Sequence, residues 1–290
     1  MTYTVAAGQM GPNSEDILEN AERICAMMEQ AKDAGADIVV FPEMSLQIYY
    51  CVRYLKDFRR FHISDSHPAI EKIKQKAKAL SINVMFGYAE ADGHLYYNSA
   101  MLVDRTGAVA GKYRKMHIPA PMISETAANF ERFYFAPGNL GFPVFQVDGV
   151  SIGAQICYDR HLPEGYRVLA YRGAQIVFNM TATVSYGVGW RSEAWELILR
   201  ARAFENGIYV VGVNKTGDEA GYGKGYYGNC MVVSPLNAGE ILSRLDRTEG
   251  DALLVQTLDL DVIDEAHNRV GWTRDLRGFE RQWYENCPDC

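Results

Sequence analysis

VSIGAQICYDRHLPE, residues 150–164, predicts a buried strand that turns into a helix. Its first seven residues are mostly apolar or small and partly β-branched, which is typical of a strand buried in a sheet. Asp159 and Pro163 are residues that open helices, so we expect a helix that runs to about Arg172. Cys157 stands at the corner between the two elements, where a side chain can project from the end of a sheet.

A thiol at this corner has a catalytic and a structural interpretation. The backbone N–H of Tyr158 can point into the same space as the Cys157 thiol. A nucleophile beside an inward N–H group is the beginning of an acyl-transfer site. Taken alone, a small cysteine at a strand end is more often a buried core residue. The rest of the chain favours the catalytic interpretation.

Length and composition limit the possible functions. The chain has 290 residues, of which 48% are hydrophobic and 22% charged, and this profile predicts an ordinary globular protein with a sizeable core. A net charge of -7 argues against a nucleic acid or an anionic membrane as the main partner. No apolar run approaches the roughly 18–20 residues of a membrane span, and the N-terminus lacks the basic region of a signal peptide. We therefore expect a cytoplasmic protein.

The cysteines and histidines do not predict a metal site. Six scattered cysteines in 290 residues are too few for a disulfide framework, so we expect free thiols. Cys287 and Cys290 form a CxxC without a second pair, and we interpret them as part of a tail. His62 and His67 lie beside Asp65 but lack the further ligands of a metal site.

Strands alternate with helices in both halves of the chain, and hairpins lie in the middle of each half. This alternation predicts a mixed sheet in each half with helices outside and the two sheets packed face to face, which is an α/β four-layer α-β-β-α sandwich. We predict loops over 116–142 and over the glycine-rich 222–226. The predicted helices cover 17–34, 69–80, 190–206 and 261–268, and the predicted strands cover 3–9, 37–41, 82–89, 94–104, 108–114, 175–179, 209–214, 229–234, 240–245 and 253–259.

No linker interrupts the pattern, so we expect a single domain over residues 1–268. Residues 269–290 form a polar tail rich in aromatic residues. Its Trp272, Trp283 and Tyr284 indicate a subunit interface.

Three chemically useful residues stand at the ends of predicted strands. Glu43 ends Val-Val-Phe-Pro-Glu, Lys115 ends Gly-Lys-Tyr-Arg-Lys, and Cys157 ends Gln-Ile-Cys. Ligands of α/β sheets bind outside the carboxyl ends of strands. Together a carboxylate, an ammonium and a thiol suit amide hydrolysis: Glu43 accepts the thiol proton, while Lys115 stabilises the thiolate and, with the Tyr158 N–H, the oxyanion.

These segments resemble the nitrilase superfamily of carbon–nitrogen hydrolases, whose Glu-Lys-Cys triad occurs in the same local contexts. The resemblance covers about residues 3–260. It implies an αββα fold, no metal or organic cofactor, and a homodimer or larger homo-oligomer. The matching motifs are Phe41-Pro-Glu43, Lys112-Tyr-Arg-Lys115-Met-His117 and Ile156-Cys157-Tyr-Asp159.

Within this superfamily, residues 130–145 are similar to N-carbamoyl-D-amino acid hydrolases and, more loosely, to β-ureidopropionases. The resemblance implies that Glu131 is a second active-site glutamate that bonds Lys115 or the amide nitrogen of the substrate. It also implies that Arg160 binds a substrate carboxylate, for which a bidentate guanidinium is well suited. His117 matches a position that helps to hold this carboxylate.

The chain departs from the D-specific pattern at two positions. Asn129 and His161 stand where D-specific members carry a histidine and a second arginine, and the sequence around Tyr158 is closer to β-ureidopropionases. The chirality and length of the substrate therefore stay open. At the end of the next strand, Asn179 and Thr181 are candidates for further polar contacts with the substrate.

The sequence thus predicts a cysteine-dependent hydrolase of N-carbamoyl amino acids that releases ammonia, carbon dioxide and the free amino acid through a thiocarbamoyl-enzyme. Its partner is a small carbamoyl or amide compound with a carboxylate, because Arg160 disfavours cationic substrates. One alternative is an ω-amidase, aliphatic amidase or nitrilase that acts on another small acid. A second alternative is a catalytically silent αββα protein that serves as a binding or assembly module.

Overall fold

The computed structural model describes residues 1–123, 128–185, 189–219 and 223–269, together with Asp275, Gln282 and Tyr284. The strands are β1 (Thr2–Gln9), β2 (Ile38–Val40), β3 (Asn83–Asp92), β4 (Leu95–Val103), β5 (Val109–Arg114), β6 (Met122–Ile123), β7 (Ala128–Asn129), β8 (Val144–Val147), β9 (Val150–Ile156), β10 (Ile176–Thr181), β11 (Tyr209–Asn214), β12 (Thr216–Glu219), β13 (Gly223–Tyr227), β14 (Cys230–Val233), β15 (Ile241–Leu245) and β16 (Ala252–Asp259). The α-helices are α1 (Ile17–Asp33), α2 (Pro68–Leu80), α3 (Glu131–Tyr134), α4 (Pro163–Tyr171), α5 (Trp190–Asn206) and α6 (Asp261–Arg269).

Two six-stranded sheets form the centre of the protein. The first has the strand order β16-β1-β2-β3-β4-β5 and the second the order β15-β14-β11-β10-β9-β8. Strands β1, β2 and β3 run parallel, as do β9, β10 and β11, while the outer strands of both sheets pair antiparallel. Each sheet is therefore mixed, as the alternation of strands and helices predicts.

Alternate side chains of a strand face different layers of the molecule. In β1, Val5 and Ala7 belong to the core that contains the second sheet, whereas Ala6 packs with Ile24 of α1. On the far side of the second sheet, α5 contributes Trp195 to the same core. Helices therefore cover the outer face of each sheet, and the inner faces pack against each other. The predicted four-layer α-β-β-α sandwich is confirmed.

The chain after Cys157 differs from the expected single helix. Residues Cys157–His161 form a 3-10 turn, and α4 begins only at Pro163. The Asp159 carboxylate does not open a helix, because it turns back and accepts the backbone N–H of Ile156 at 3.0 Å. Proline is well placed at the first helical position, where a missing N–H breaks no hydrogen bond.

The two predicted loops contain secondary structure. Residues 116–142 include the β6–β7 pair and the one-turn helix α3, and most of 222–226 belongs to β13. These elements have two to five residues each, too few for a hydrophobic period to be recognised in the sequence.

The predictions for the C-terminal tail lie mostly outside the described residues. Tyr284 is described, and its ring centroid lies 6.2 Å from that of Tyr171 in α4. Trp272, Trp283, Cys287 and Cys290 are not among the described residues, so the predicted interface stays a prediction. The four described cysteines are free thiols. Among the helices of the described ranges, none is long and apolar enough to cross a bilayer.

Candidate active site

Glu43, Lys115 and Cys157 each follow the end of a strand, and the sandwich brings these ends together. Glu43 comes three residues after β2, while Lys115 and Cys157 directly follow β5 and β9. The Lys115 Nζ atom lies 2.9 Å from Glu43 Oε1, and both side chains are fully buried. Two strands of the first sheet and one of the second therefore supply the predicted carboxylate, ammonium and thiol.

The Glu43 carboxylate is held by donors from both sheets. Besides Lys115, its Oε1 accepts Asn98 Nδ2 of β4 at 2.6 Å, and its Oε2 accepts the backbone N–H of Ala182 at 2.9 Å. Ala182 directly follows β10 of the second sheet. A buried carboxylate needs such donors, since an unpaired one would cost several kcal/mol. Glu43 is thus fixed in place between the two sheets.

Lys115 lies between two carboxylates. Its Nζ donates to Glu43 and, at 2.5 Å, to Glu131 Oε2. Burial disfavours the ammonium, but the carboxylates of Glu131 and Glu43 outweigh burial and raise the pKa of Lys115 well above its ordinary value. An ammonium has three N–H groups. Among the described residues two of them have partners, which leaves one donor for a bound molecule.

Cys157 has a strained backbone and a thiol whose pKa is raised. Its φ is +47°, in the left-handed region that non-glycine residues rarely adopt, which is typical of functional sites. Burial and the Glu43 carboxylate raise the pKa of the thiol, whereas Lys115 and Arg160 oppose this rise. We expected Lys115 to hold a thiolate. In the structure burial outweighs its charge, so the attacking sulfur needs a base.

A cavity of about 280 Å³ opens beside Cys157. This volume suits a small molecule. The Cys157 Sγ atom lies 3.6 Å from Thr183 Oγ1. The polar side chains that line the cavity belong to Tyr49, Asn129, Glu131, Cys157, Tyr158, Arg160, His161, Thr183 and Arg191.

Glu131 reaches the cavity from the first turn of α3, and its carboxylate is well supplied with donors. Its Oε1 accepts Tyr49 Oη at 2.5 Å and Asn129 Nδ2 at 3.2 Å, while Oε2 accepts Lys115. The structure therefore brings Glu131 to Lys115 and to the cavity, where the resemblance expected it.

Arg160 lines the cavity but is only 4% exposed. Its Nη1 donates to the carbonyl oxygen of Cys157 at 2.8 Å, and its guanidinium lies 5.4 Å from the centroid of the Trp195 ring. The Arg160 Nε atom is buried without a hydrogen-bond partner in the described part of the protein. Burial and the guanidinium groups of Arg160, Arg191 and Arg202 lower the pKa of His161 to about 4. This side of the cavity is therefore strongly cationic.

His117 lies beside the cavity and faces a different recess. Its backbone N–H and its Nδ1 both contact Asp159 Oδ1, at 2.9 and 2.8 Å. The ring lines this recess with Arg132 and Phe135. The predicted contact of His117 with a substrate carboxylate has no support from this placement, because the ring lines a recess other than the cavity beside Cys157.

Asn179 and Thr181 lie inside the second sheet. Both are fully buried on one face of β10, where Thr181 Oγ1 donates to Asn179 Oδ1 at 2.8 Å. The part of this segment that lines the cavity is the following turn, Ala182 to Val184. The prediction placed the end of β10 at Asn179, but the strand runs to Thr181, so the polar side chain of this segment that lines the cavity is that of Thr183.

Tyr49, Thr183 and Arg191 line the cavity and were missed in the sequence. No local pattern marks them, since each lies in a different connection or helix start. The run Gln47-Ile-Tyr-Tyr50 after Phe-Pro-Glu was the one available signal for Tyr49, because it places polar aromatic residues just beyond a strand end. Within the described ranges, no three His, Cys, Asp or Glu side chains are arranged to hold a metal ion.

Comparisons with known proteins agree with this fold. The carbon-nitrogen hydrolase family model matches residues 4–268. An N-carbamoylputrescine amidase of Arabidopsis thaliana is 32% identical over 91% of this chain and 89% of its own. A citrullinase of Francisella tularensis is 30% identical over 94% of each chain. The crystal structure of a carbon-nitrogen hydrolase from Helicobacter pylori G27 is 26% identical, with a TM-score of 0.84 over 95% of both chains.

The fold and the strand-end residues were expected from the sequence, and the family match spans nearly the whole chain. The chain therefore belongs to the carbon–nitrogen hydrolase family of the nitrilase superfamily and is an enzyme that hydrolyses amide-type carbon–nitrogen bonds.

Proposed function

We propose that the enzyme hydrolyses N-carbamoyl amino acids, with Cys157 as the nucleophile. The observation that carries the proposal is the charge of the cavity. Arg160 is buried at its wall and Arg191 lines it as well, whereas the carboxylate among the described lining residues, that of Glu131, already pairs with Lys115. A substrate with a carboxylate matches this charge, and a cationic one does not.

The names of two relatives support a carbamoyl substrate. N-carbamoylputrescine and citrulline both end in a carbamoyl group on nitrogen, but citrulline also has a carboxylate. The cationic side of the cavity around Arg160 favours carbamoyl compounds that, like citrulline, have a carboxylate. The length and chirality of the acid are left open by this argument.

The first step uses the three strand-end residues. The Cys157 sulfur attacks the carbamoyl carbon while its proton passes to the Glu43 carboxylate. The carbonyl oxygen becomes an oxyanion, which receives the remaining N–H of Lys115 and the backbone N–H of Tyr158. This arrangement stabilises charge that develops only during the reaction, so it lowers the barrier.

The second step cleaves the carbon–nitrogen bond. The tetrahedral intermediate collapses, the nitrogen takes the proton from Glu43 and leaves as ammonia, and a thiocarbamoyl-enzyme remains. Glu43 then takes a proton from water as the water oxygen attacks the same carbon. The carbon–sulfur bond breaks, the Cys157 sulfur regains a proton, and the released carbamic acid decomposes to carbon dioxide and the free amino acid.

Ammonia release from D-, L- and β-carbamoyl acids tests this proposal. We expect Cys157→Ala to abolish release at an unchanged fold, measured by circular dichroism. Persistent release by this variant would remove the cysteine mechanism. If the wild type instead hydrolyses ω-amides of dicarboxylic acids or nitriles and leaves carbamoyl acids intact, the substrate assignment is wrong.

Arg160→Ala tests the carboxylate contact separately. We expect KM to rise by about 10- to 100-fold for carbamoyl acids, since a charged hydrogen-bond pair is lost, and to change little for a neutral amide such as propionamide. Equal losses on both substrates would contradict the role of Arg160. The predicted cytoplasmic location and homo-oligomer stay predictions.

A further inference from the structure

Tyr49 connects the cavity with the glutamate network. It is 3% exposed and lies six residues after Glu43, in the connection that leaves β2. Its hydroxyl donates to Glu131 Oε1 at 2.5 Å, while the other oxygen of this carboxylate accepts Lys115 at the same distance. Tyr49 and Glu131 both line the cavity that contains Cys157.

A second buried ion pair fixes the position of Tyr49. The backbone N–H of Tyr49 donates to Glu219 Oε2 at 2.8 Å, and Glu219 Oε1 lies 2.6 Å from Lys215 Nζ. Lys215 also donates to the carbonyl oxygen of Gln47 at 3.0 Å. The Lys215 and Glu219 side chains are fully buried, so this pair holds the main chain of Tyr49, while the bond to Glu131 holds its hydroxyl.

The bond to Glu131 determines what the Tyr49 oxygen can do next. A phenol has one proton, and an ionised carboxylate can only accept. The Glu131 carboxylate forms an ion pair with Lys115, and burial with the Glu131 charge raises the pKa of Tyr49 well above its ordinary value. The phenol O–H group therefore donates its single hydrogen bond to Glu131. Toward a bound molecule the Tyr49 oxygen can act only as an acceptor.

An obligatory acceptor discriminates between reacting groups. The –NH2 of an amide or a carbamoyl group offers N–H donors, whereas a methyl ester has none on its leaving oxygen and a nitrile nitrogen has none at all. A ligand without a matching donor leaves this buried acceptor unpaired and therefore binds poorly.

We propose that Tyr49 is a specificity-determining residue that selects substrates with an –NH2 group on the carbonyl carbon. Its oxygen accepts a hydrogen bond from one of the two N–H groups. The inference rests on the proposed function, because it requires the substrate carbonyl to lie beside Cys157 in this cavity. It adds a reason for the choice of amide over ester and nitrile that the strand-end residues alone do not provide.

The test compares an N-carbamoyl acid with the matching N-methoxycarbonyl acid, which differs only where –OCH3 replaces –NH2. In Tyr49→Phe we expect kcat/KM to fall by about 10- to 100-fold for the carbamoyl acid and by less than about threefold for the methoxycarbonyl acid. Tyr50→Phe is the matched control. It removes a neighbouring buried hydroxyl that contacts His62, and we expect it to change neither value by more than about threefold.

Two results would overturn the inference. An equal fall for both substrates in Tyr49→Phe would mean that the hydroxyl only positions Glu131, and unchanged values for both would mean that it has no role. If the wild type accepts no carbamoyl acid, the same comparison uses the primary amide and the methyl ester of whichever acid it does accept. The proposed function can therefore fail while the inference about Tyr49 is still tested.

Discussion

In the described part of the protein, two fully buried lysines form ion pairs with glutamates, and these two sites differ in what surrounds the lysine. Lys115 follows β5 in one sheet and Lys215 follows β11 in the other, and each is the first residue after its strand. Both are fully buried and contact a glutamate, at 2.5 Å for Glu131 and 2.6 Å for Glu219. They differ in their further partners and in the direction of their pKa shifts.

Lys115 has two carboxylates, whereas Lys215 has one. The carboxylates of Glu131 and Glu43 raise the pKa of Lys115 well above its ordinary value, even though burial acts in the opposite direction. Burial lowers the pKa of Lys215, because the single carboxylate of Glu219 only partly compensates for the loss of water. Lys115 therefore contacts two carboxylates, and one of them, Glu43, takes the thiol proton in the proposed mechanism.

The second pair holds the main chain in place. Lys215 donates to the carbonyl oxygen of Gln47, and Glu219 accepts the backbone N–H groups of Tyr49 and Asn13. A buried ion pair contributes little net stability, since removing two charges from water is costly. We therefore propose a chemical role for the Lys115 cluster and a positioning role for the Lys215 pair.

The largest expected effect comes from Lys115→Met. We expect kcat for ammonia release to fall by at least about 10³-fold, because the oxyanion loses a charged donor and two buried carboxylates are left facing each other. Steady-state kinetics with a circular dichroism spectrum of the variant check this. A kcat within tenfold of the wild type would end the distinction between the two pairs.

Lys215→Met tests the positioning role. We expect the free energy of unfolding to fall by about 3–5 kcal/mol, since Glu219 would keep an uncompensated buried charge. Urea unfolding measures this loss, and kcat should fall by less than about tenfold because the catalytic groups remain.

The matched double variant Lys215→Met/Glu219→Gln removes both charges. It should recover part of the lost stability, as replacing a complete buried pair costs less than breaking it. A fall in kcat as large as that of Lys115→Met would instead place Lys215 in the chemistry.

The smallest expected effect is on the pH dependence of Cys157 alkylation. Burial and Glu43 raise the pKa of the thiol. The rate of reaction with iodoacetamide should therefore reach half of its maximum at a pH above the usual pKa range of cysteine. Glu43→Gln removes one of these causes and should move the midpoint to lower pH.

Lys215→Met is the control for this measurement, because its pair contacts the Gln47–Tyr49 connection and not the thiol. Its alkylation midpoint should equal that of the wild type. Equal shifts in both variants would show that the charge beside Cys157 does not come specifically from Glu43.

The sequence alone was sufficient for the layer order and for the residues at three strand ends. Buried strands and amphipathic helices are local patterns, with periods that depend on neighbouring residues only. Ligand sites of α/β sheets lie at the carboxyl ends of strands, so the prediction placed Glu43, Lys115 and Cys157 in one site. Glu131 and Arg160 came from the family resemblance and lie at the same cavity.

Only the tertiary structure decided which other side chains reach the cavity. Strand β10 ends at Thr181, so Thr181 is buried in the sheet while Thr183 lies in the turn that follows and lines the cavity. His117 contacts Asp159, and Tyr49 contacts Glu219, across 42 and 170 residues of chain. Such contacts depend on how distant segments pack, and no local period of the sequence records them.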